Sequence, residues 1–104
     1  MKQIQLDSSA LVCPGCKERC LHQKKVSVFW RDHEDSLTGK FVSSSPNESV
    51  VEPFLVGIHR IPSPRRDGLT IDFDCEICEA EPRLKIYQHK GTTYIEWESF
   101  RQSL

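Results

Sequence analysis

Four cysteines are the residues of this chain whose types and spacing could do chemistry. They form two close pairs, Cys13 with Cys16 and Cys75 with Cys78, and 58 residues lie between the pairs. Structural zinc takes four ligands in a tetrahedron, and two residues between cysteines let both sulfurs of one tight turn reach the same ion. Pro14 and Gly15 suit such a turn, because proline fixes φ and glycine tolerates unusual backbone angles. The sequence therefore predicts one Zn²⁺ ion bound by all four thiolates.

Two other chemistries of paired cysteines fit this chain less well. A thioredoxin-like redox pair stands at the head of a helix, and no helical period follows either pair. A zinc deaminase needs His-x-Glu followed by Pro-Cys-x-x-Cys, but Glu34 directly follows His33 and Asp74 precedes Cys75. Four protein ligands also leave no open position for a metal-bound water, so the site is predicted to be structural.

The sequence does not predict an enzyme. No nucleophile–base motif and no glycine-rich phosphate loop accompanies the four histidines, which are His22, His33, His59 and His89. Each is interpreted as a surface or packing residue. Cys20 and His22 lie close to the first cysteine pair, and either could replace a cysteine as a metal ligand. We favour a free thiol for Cys20 and a supporting role for His22, because the two pairs already complete the coordination.

Length and charge limit the classes of function. The 104 residues are enough for a single domain, residues 1–104, with a modest core that a metal ion would help to stabilise. The net charge is −1, whereas a dedicated non-specific DNA-binding protein is usually far more basic. Residues 1–7 lack the apolar run of a signal peptide, no run reaches transmembrane length, and five cysteines suit a reducing compartment. The expected location is therefore the cytoplasm.

Strands are predicted to position the two cysteine pairs. From Leu69 to Cys75 apolar and polar residues alternate, which is typical of a half-buried strand that runs straight into the second pair. Residues 26–30 form another strand by their β-branched and aromatic content, with Val26, Val28 and Trp30 on one face.

A two-residue turn at Lys90-Gly91 predicts a C-terminal hairpin. This turn places position 89 opposite position 92, and a slip of one residue would ruin both faces of the hairpin. A bulged turn remains an alternative, because Lys-Gly is a weaker signal than Asn-Gly. The predicted cross-strand pairs are Leu84–Trp97, Ile86–Ile95, Gln88–Thr93, Tyr87–Tyr94 and Lys85–Glu96.

The other segments are predicted as short strands, turns and loops. Short strands are expected at residues 3–6 (or a loose arm there), at residues 41–43, and at residues 50–56, where Pro53 demotes the segment to an edge or bent strand. Polar turns are expected at residues 31–39 and 79–83, an exposed loop at residues 57–68, and a frayed end at residues 99–104. The predicted fold is mostly β: a small antiparallel zinc-ribbon-like domain with two CxxC knuckles and the C-terminal β-hairpin.

The chain also resembles small zinc-ribbon proteins encoded by phages and bacteria. Three blocks carry the likeness: Cys13-Pro14-x-Cys16 with Leu21-His22, Val26-x-Val28-Phe29 and Glu34-Asp35-Ser36; Arg65 to Thr70 with Ile71-x-Phe73-x-Cys75-Glu76-x-Cys78; and Leu84-x-Ile86-x-Gln88-His89-Lys90-Gly91 with Trp97. The resemblance implies a zinc ribbon with four cysteine ligands and no particular activity. Cys20 departs from the pattern, which more often has an aromatic residue there.

Two functions are weighed on these grounds. The first is a zinc-stabilised module that binds another protein, with a host or phage protein as target and the host cytoplasm as location if the chain is phage-encoded. The second is a nucleic-acid-binding zinc ribbon, with stacking by Trp30, Tyr87 or Tyr94. The candidate binding surface consists of Lys17, Arg19, Arg65, Arg66, His89 and Lys90, and Lys24 and Lys25 could extend it for nucleic acid. The sequence does not predict an oligomeric state.

Overall fold

The computed structural model describes residues 3–55 and 59–98, and these residues form strands, turns and loops without a helix. Predictions for residues 56–58 and for the frayed end at 99–104 fall outside the described residues. The eight strands are β1 (Leu6–Asp7), β2 (Ala10–Leu11), β3 (Leu21–Arg31), β4 (Thr38–Ser44), β5 (Ser49–Leu55), β6 (Gly68–Cys75), β7 (Arg83–His89) and β8 (Thr92–Trp97).

Six of the strands form one antiparallel sheet in the order β5-β4-β3-β6-β7-β8, and β1 and β2 form a separate two-stranded ribbon. The predicted mostly-β antiparallel fold is therefore confirmed. Strand β5 lies at one edge of the sheet, as Pro53 predicts, because a proline cannot donate a hydrogen bond to a second neighbour. Strand β8 forms the opposite edge.

The C-terminal hairpin has the predicted register at every pair. Its turn residues Lys90 and Gly91 both have positive φ, at 51° and 79°, which matches the right-handed twist of the flanking strands. The two-residue turn is confirmed and the bulged alternative is wrong. Strand β6 also lies where the alternating pattern predicts it.

Strand β3 is longer than the prediction for residues 26–30. It runs for 11 residues, and its first part is polar and exposed, so no alternation marks it in the sequence. A bulge between Gln23 and Lys25 shifts its register against β6. Near the N-terminus the predicted strand at residues 3–6 is wrong, because only Leu6 joins Asp7 in β1, beside a turn at Ser8 with φ 58°.

One face of the sheet is only partly covered. At the end that carries the cysteine pairs, Phe73, Leu84 and Trp97 form a buried cluster beneath Ile4 and Leu11 of the N-terminal segment. Trp97 is 1% exposed and meets Phe73 edge-on, with ring centroids 5.9 Å apart. Toward the other end of the sheet, side chains on this same face remain in contact with solvent, and we call that part the open apolar face. Its members are Val28, Trp30, Val42, Val51, Leu69, Ile86 and Ile95.

The opposite face is covered in part by the segment at residues 59–67. The side chains of His59 and Phe41 are in ring contact at 4.5 Å, and Ser63 is fully buried, with its hydroxyl donating to the Gln88 carbonyl at 2.6 Å. The predicted loop is therefore present, but it is exposed only in part: Arg60, Pro64 and Arg65 are exposed, whereas Ser63 is buried. Gly68 is required beneath the segment, because a Cβ there would lie 2.8 Å from Pro62 Cγ.

Arg31 fastens two loops at the end of the sheet away from the cysteines. Its guanidinium donates to the main-chain carbonyls of Ser36, Ser63 and Arg66, and its carbon Cζ lies 5.6 Å from the centre of the Phe54 ring. The sequence predicts only a polar turn at Arg31, so this role is a finding of the structure.

Candidate metal centre

The antiparallel pairing of β3 with β6 brings the two cysteine pairs to one end of the sheet. The first pair lies in the turn that precedes β3, and the second lies in the turn that follows β6. Leu21 at the start of β3 is paired with Cys75 at the end of β6. The long spacer between the pairs is therefore spanned by neighbouring strands rather than by an open loop.

The four sulfurs have the spacing of one tetrahedral site. Sγ of Cys13 is 3.7 Å from Sγ of Cys78, and Sγ of Cys16 is 3.5 Å from Sγ of Cys75. All four ligand atoms lie within 4.8 Å of one another. Metal–sulfur bonds of about 2.3 Å in a tetrahedron put ligands about 3.8 Å apart, so these positions fit a single ion. All five cysteines of the chain are free thiols.

The two knuckles have the same backbone design. In the first, the amide of Lys17 donates to the carbonyl of Cys13 at 2.9 Å, and the residue that follows Cys16 has φ 66°. In the second, the amide of Glu79 donates to the carbonyl of Cys75 at 3.1 Å, and this glutamate has φ 62°.

A further hydrogen bond is also repeated between the knuckles. The amide of each leading cysteine donates to a carbonyl five residues on, Cys13 to Glu18 at 2.8 Å and Cys75 to Ala80 at 2.9 Å. The left-handed residues of the knuckles could not be predicted from the sequence, because neither Lys17 nor Glu79 is a glycine. Each turn holds its two thiols in place through its own main chain.

The centre is buried on one side and accessible on the other. Cys13 is 0% exposed and Cys75 is 3% exposed, and both pack against the fully buried Ala80. Cys16 and Cys78 are half-buried. A bound ion would thus be closed off by protein on the side of Cys13 and Cys75 and would lie nearer solvent on the side of Cys16 and Cys78.

Burial and main-chain amides act on the thiols in opposite directions. Burial raises the pKa of Cys13, against the effect of nearby amides. The Glu18 amide lowers the pKa of Cys16, but burial and the neighbouring thiols outweigh it and raise that pKa to about 12. The Ala80 amide lowers the pKa of Cys78 to about 7. Metal binding at neutral pH must therefore displace protons from Cys13 and Cys16.

Cys20 and His22 lie beside the four-cysteine group, and neither belongs to it. The carbonyl of Cys20 accepts a hydrogen bond from the amide of Glu76 at 2.9 Å, which joins the two knuckles through the main chain. His22 Nε2 is 3.2 Å from the Glu76 carboxylate, and both side chains are exposed. This placement favours the interpretation that both residues support the site and do not bind the ion.

The six residues of the candidate binding surface lie at two ends of the sheet. Lys17 and Arg19 are at the metal end, while the other four lie at the far end, about 25 Å away along β6. The guanidinium of Arg65 donates a hydrogen bond to the carboxylate of Asp35, and the guanidinium of Arg66 lies 2.9 Å from the carboxylate of Glu34.

The remaining members of that surface differ in their surroundings. The guanidinium of Arg19 is 3.7 Å from the carboxylate of Asp7, and the ammonium of Lys17 donates a hydrogen bond to the Pro14 carbonyl at 3.0 Å. Lys90 is exposed in the hairpin turn. Nδ1 of His89 is buried and has no hydrogen-bond partner among the residues that the structure describes.

Comparison of the chain with protein-family models, with curated proteins and with solved structures finds no match. The resemblance to phage and bacterial zinc ribbons therefore stays a prediction. The described residues contain no helix with the length and apolar character needed to cross a membrane.

Proposed function

We propose that this chain is a zinc-stabilised β-sheet module that binds another protein. Four thiolates with tetrahedral spacing are the donor set that zinc prefers in structural sites, and they leave no coordination position for substrate. Such an ion acts as a clamp that holds the strand ends together. The work of recognition then falls to the surface of the sheet.

The open apolar face is the observation that carries the proposal of a protein partner. Trp30 and Ile95 are each 51% exposed and Val51 is 67% exposed, although all three project from the same side of one rigid sheet. Among the described strand residues on this part of the face, Lys40 alone carries a charge. Monomeric soluble proteins seldom leave an extended apolar surface uncovered, and exposed tryptophan is enriched at protein interfaces.

A groove next to Trp30 gives this face a feature that a partner side chain can fill. Its volume is about 260 Å³, and its lining combines the apolar residues Val28, Trp30, Leu69 and Ile86 with the polar residues Asp67, Gln88 and Thr93. This size suits one or two apolar side chains of a partner, and the polar residues of the lining are available for hydrogen bonds beside them. We infer a partner that presents such a side chain on an otherwise uncharged patch.

Charge at the far end of the sheet favours a protein partner over nucleic acid. Arg65 and Arg66 face the carboxylates of Glu34 and Asp35, so their positive charge is compensated locally. Binding of a phosphate backbone needs cations that are free to displace counterions. By the resemblance noted from the sequence, phage and host proteins in the cytoplasm are the first class of partner to test.

The experiment compares two exposed apolar residues that differ in position. Metal-loaded wild-type protein, the variant Trp30→Ser and the variant Leu37→Ser are immobilised and exposed to host lysate. Leu37 is 70% exposed but lies in the β3–β4 turn, so Leu37→Ser is the matched control. We expect one specific protein to bind wild type and Leu37→Ser equally, and to bind Trp30→Ser at least about 10-fold more weakly.

Titration with the purified partner gives the second measurement. The fluorescence of Trp30 should shift to shorter wavelength as the partner covers it, while Trp97 is already buried and contributes a constant signal. Recovery of no protein at micromolar concentration, or equal recovery by Trp30→Ser, would overturn the proposal. A gel shift with nucleic acid that weakens steeply with salt would instead support the alternative.

A further inference from the structure

The two edges of the six-stranded sheet differ in their protection. Strand β5 carries Pro53, a residue that blocks pairing of an edge with another strand. Strand β8 has the sequence Thr-Thr-Tyr-Ile-Glu-Trp, which is rich in strand-forming residues and has no proline. Among the described residues, no strand pairs with the outer side of β8. The edge at β8 is therefore able to accept another strand.

The hairpin register determines which main-chain groups of β8 point outward. In a hairpin with a two-residue turn, the flanking pair His89–Thr92 is hydrogen-bonded, and bonded pairs then alternate along the strands. The amide of Glu98 donates to the carbonyl of Arg83 at 2.8 Å, in agreement with this alternation. The N–H and C=O groups of Thr93 and Ile95 thus point away from the sheet.

Burial limits this free edge to its first half. Residues 92–95 are all exposed, but Trp97, the next residue with outward-pointing main-chain groups, is only 1% exposed in total. An added strand can therefore reach the main chain of Thr93 and Ile95, but not that of Trp97. A register centred on Ile95 would need the Trp97 main chain. A register centred on Tyr94 uses Thr93 and Ile95 alone.

We propose that two copies of this chain pair through β8 in antiparallel fashion, about a two-fold axis at Tyr94. Thr93 of each copy then exchanges two main-chain hydrogen bonds with Ile95 of the other, and the two Tyr94 residues face each other in the non-bonded pair between them. Sliding one strand by a single residue, so that Tyr94 faces Ile95, is also excluded, because paired side chains would then lie on opposite faces of the sheet. Identical strands in antiparallel pairing satisfy the two-fold symmetry that most homodimers have.

Side-chain chemistry across the joint is self-complementary. Tyr94 already stacks on Tyr87, with ring centroids 5.5 Å apart and planes 21° apart, so the joint forms a row of four tyrosine rings. The charge of Glu96 is the one feature of β8 that could oppose this pairing. Its carboxylate is 3.2 Å from the ammonium of Lys85 and accepts a hydrogen bond from the Tyr87 hydroxyl at 3.1 Å, and it would face uncharged Thr92. No like charges oppose each other in this register.

The assembly would also join the two open apolar faces into one surface. Ile95 projects from the same side of the sheet as Leu69 and Ile86, so its contact with Thr93 of the second copy continues that surface across the axis. The pairing rests on the β8 edge and does not require the proposed protein partner. Its failure and the failure of the proposed function are therefore separate results.

The first test measures mass in solution for variants that change one outward-pointing amide. Sedimentation velocity of metal-loaded wild type should show a monomer–dimer equilibrium at concentrations up to the order of 100 µM. Thr93→Pro removes an N–H that points out of the sheet and leaves the main-chain bonds to β7 in place, so it should be monomeric. Proline and valine at this position both lack the hydroxyl that accepts a hydrogen bond from the Gln88 side chain, so the two variants are matched in that respect. Thr93→Val keeps that N–H and should dimerise like wild type.

The second test traps the register covalently and remains informative if Thr93→Pro fails to fold. In a Cys20→Ser background, Tyr94→Cys places two thiols opposite each other across the axis, with Cα atoms about 4.5 Å apart, a distance that permits a disulfide. Thr92→Cys is the matched control, because its two copies would be about 14 Å apart. Mild oxidation of metal-loaded protein should cross-link Tyr94→Cys and not Thr92→Cys.

Three results would overturn the proposal. They are a monomer at every concentration, a dimer that Thr93→Pro leaves unchanged while the variant keeps its metal and its circular dichroism, and cross-linking of Thr92→Cys as efficient as that of Tyr94→Cys. If β8 instead accepts a strand from a different protein, this chain alone is monomeric and the first of these results is obtained.

Discussion

Each thiol of the metal centre is positioned by a short turn that is complete in itself. The same two main-chain hydrogen bonds occur in both knuckles, from the amides of Lys17 and Glu79 and from those of the leading cysteines Cys13 and Cys75. The thiols therefore need little rearrangement to receive an ion, which lowers the ordering cost of binding. The sheet contributes one further requirement, which is that the two turns meet at the same end.

The roles of the five cysteines can be separated by single substitutions. Cys13→Ser removes a ligand and opens the clamp that closes a loop of about 60 residues, so stability should fall by about 4 kcal/mol and the Tm by more than about 15 °C. Cys20→Ser lies outside the four-sulfur group and should change stability by less than about 0.5 kcal/mol. Bound metal by elemental analysis and Tm by calorimetry measure both effects.

A different outcome would change the ligand assignment. If Cys20→Ser loses metal while Cys13→Ser keeps it, then the fifth cysteine is a ligand and the four-sulfur geometry is not the site.

These ligands could be predicted from the sequence because each pair is local. Two cysteines three positions apart define their own turn, whatever the rest of the chain does. The role of Arg31 could not be predicted, because its acceptors are carbonyls in loops that only the folded sheet brings near. Main-chain acceptors leave no trace in the amino-acid pattern.

Among the strands and turns, the C-terminal hairpin is the most strongly determined by local sequence. Its two-residue turn sets the register, and the register places apolar residues on one face and the Lys85–Glu96 pair on the other. The first half of β3 is the contrary case. Residues 22–25 are polar and exposed, and they are extended because β6 pairs with them, so local pattern gave no signal.

The hairpin turn allows one substitution that should lower the stability of the protein and one that should raise it. Gly91 has φ 79° with no neighbouring atom within 4 Å, so Gly91→Ala meets no clash and reports only the cost of a left-handed backbone, about 1 kcal/mol of lost stability. Lys90→Asn provides a residue that accepts positive φ more readily and should add about 0.5 kcal/mol. Denaturant unfolding measures both.

Lys90→Ala is the control for this experiment, since it removes the charge without relieving the backbone. It should leave stability within about 0.5 kcal/mol of wild type. Stabilisation by Gly91→Ala would contradict the turn geometry.

At the scale of the whole molecule, different groups hold the two ends of the sheet together. Four thiols that fit one metal ion lie at one end, while Arg31 and the segment at residues 59–67 join loops at the other. The open apolar face lies between these ends, so its shape depends on both. The fold class and the metal end were predicted from sequence. The coverage of the second face was not, because the segment that covers it has no apolar period.

Metal-dependent stability should decrease as the pH falls. Protonation competes with metal for the thiolates, and burial raises the pKa of Cys13 while the pKa of Cys16 stands at about 12 in the absence of metal. Stabilisation by metal is therefore present at alkaline and neutral pH and is lost on acidification. The difference in Tm between metal-loaded and chelator-treated protein should shrink steadily from pH 8 to about pH 5.

Two controls accompany this measurement. Cys13→Ser should show a small difference at every pH, because its clamp is already open. A difference that stays constant between pH 8 and pH 5 in the wild-type protein would show that metal is not held by thiolates.

The guanidinium of Arg31 has a consequence for how the protein responds to its surroundings. An arginine keeps its charge and its donors throughout the physiological pH range and requires nothing from outside the chain. The four thiols at the other end, by contrast, fit an ion that only the surroundings can supply. An ion bound there would make the stability of that end depend on metal supply, whereas the contacts of Arg31 at the far end would not depend on it.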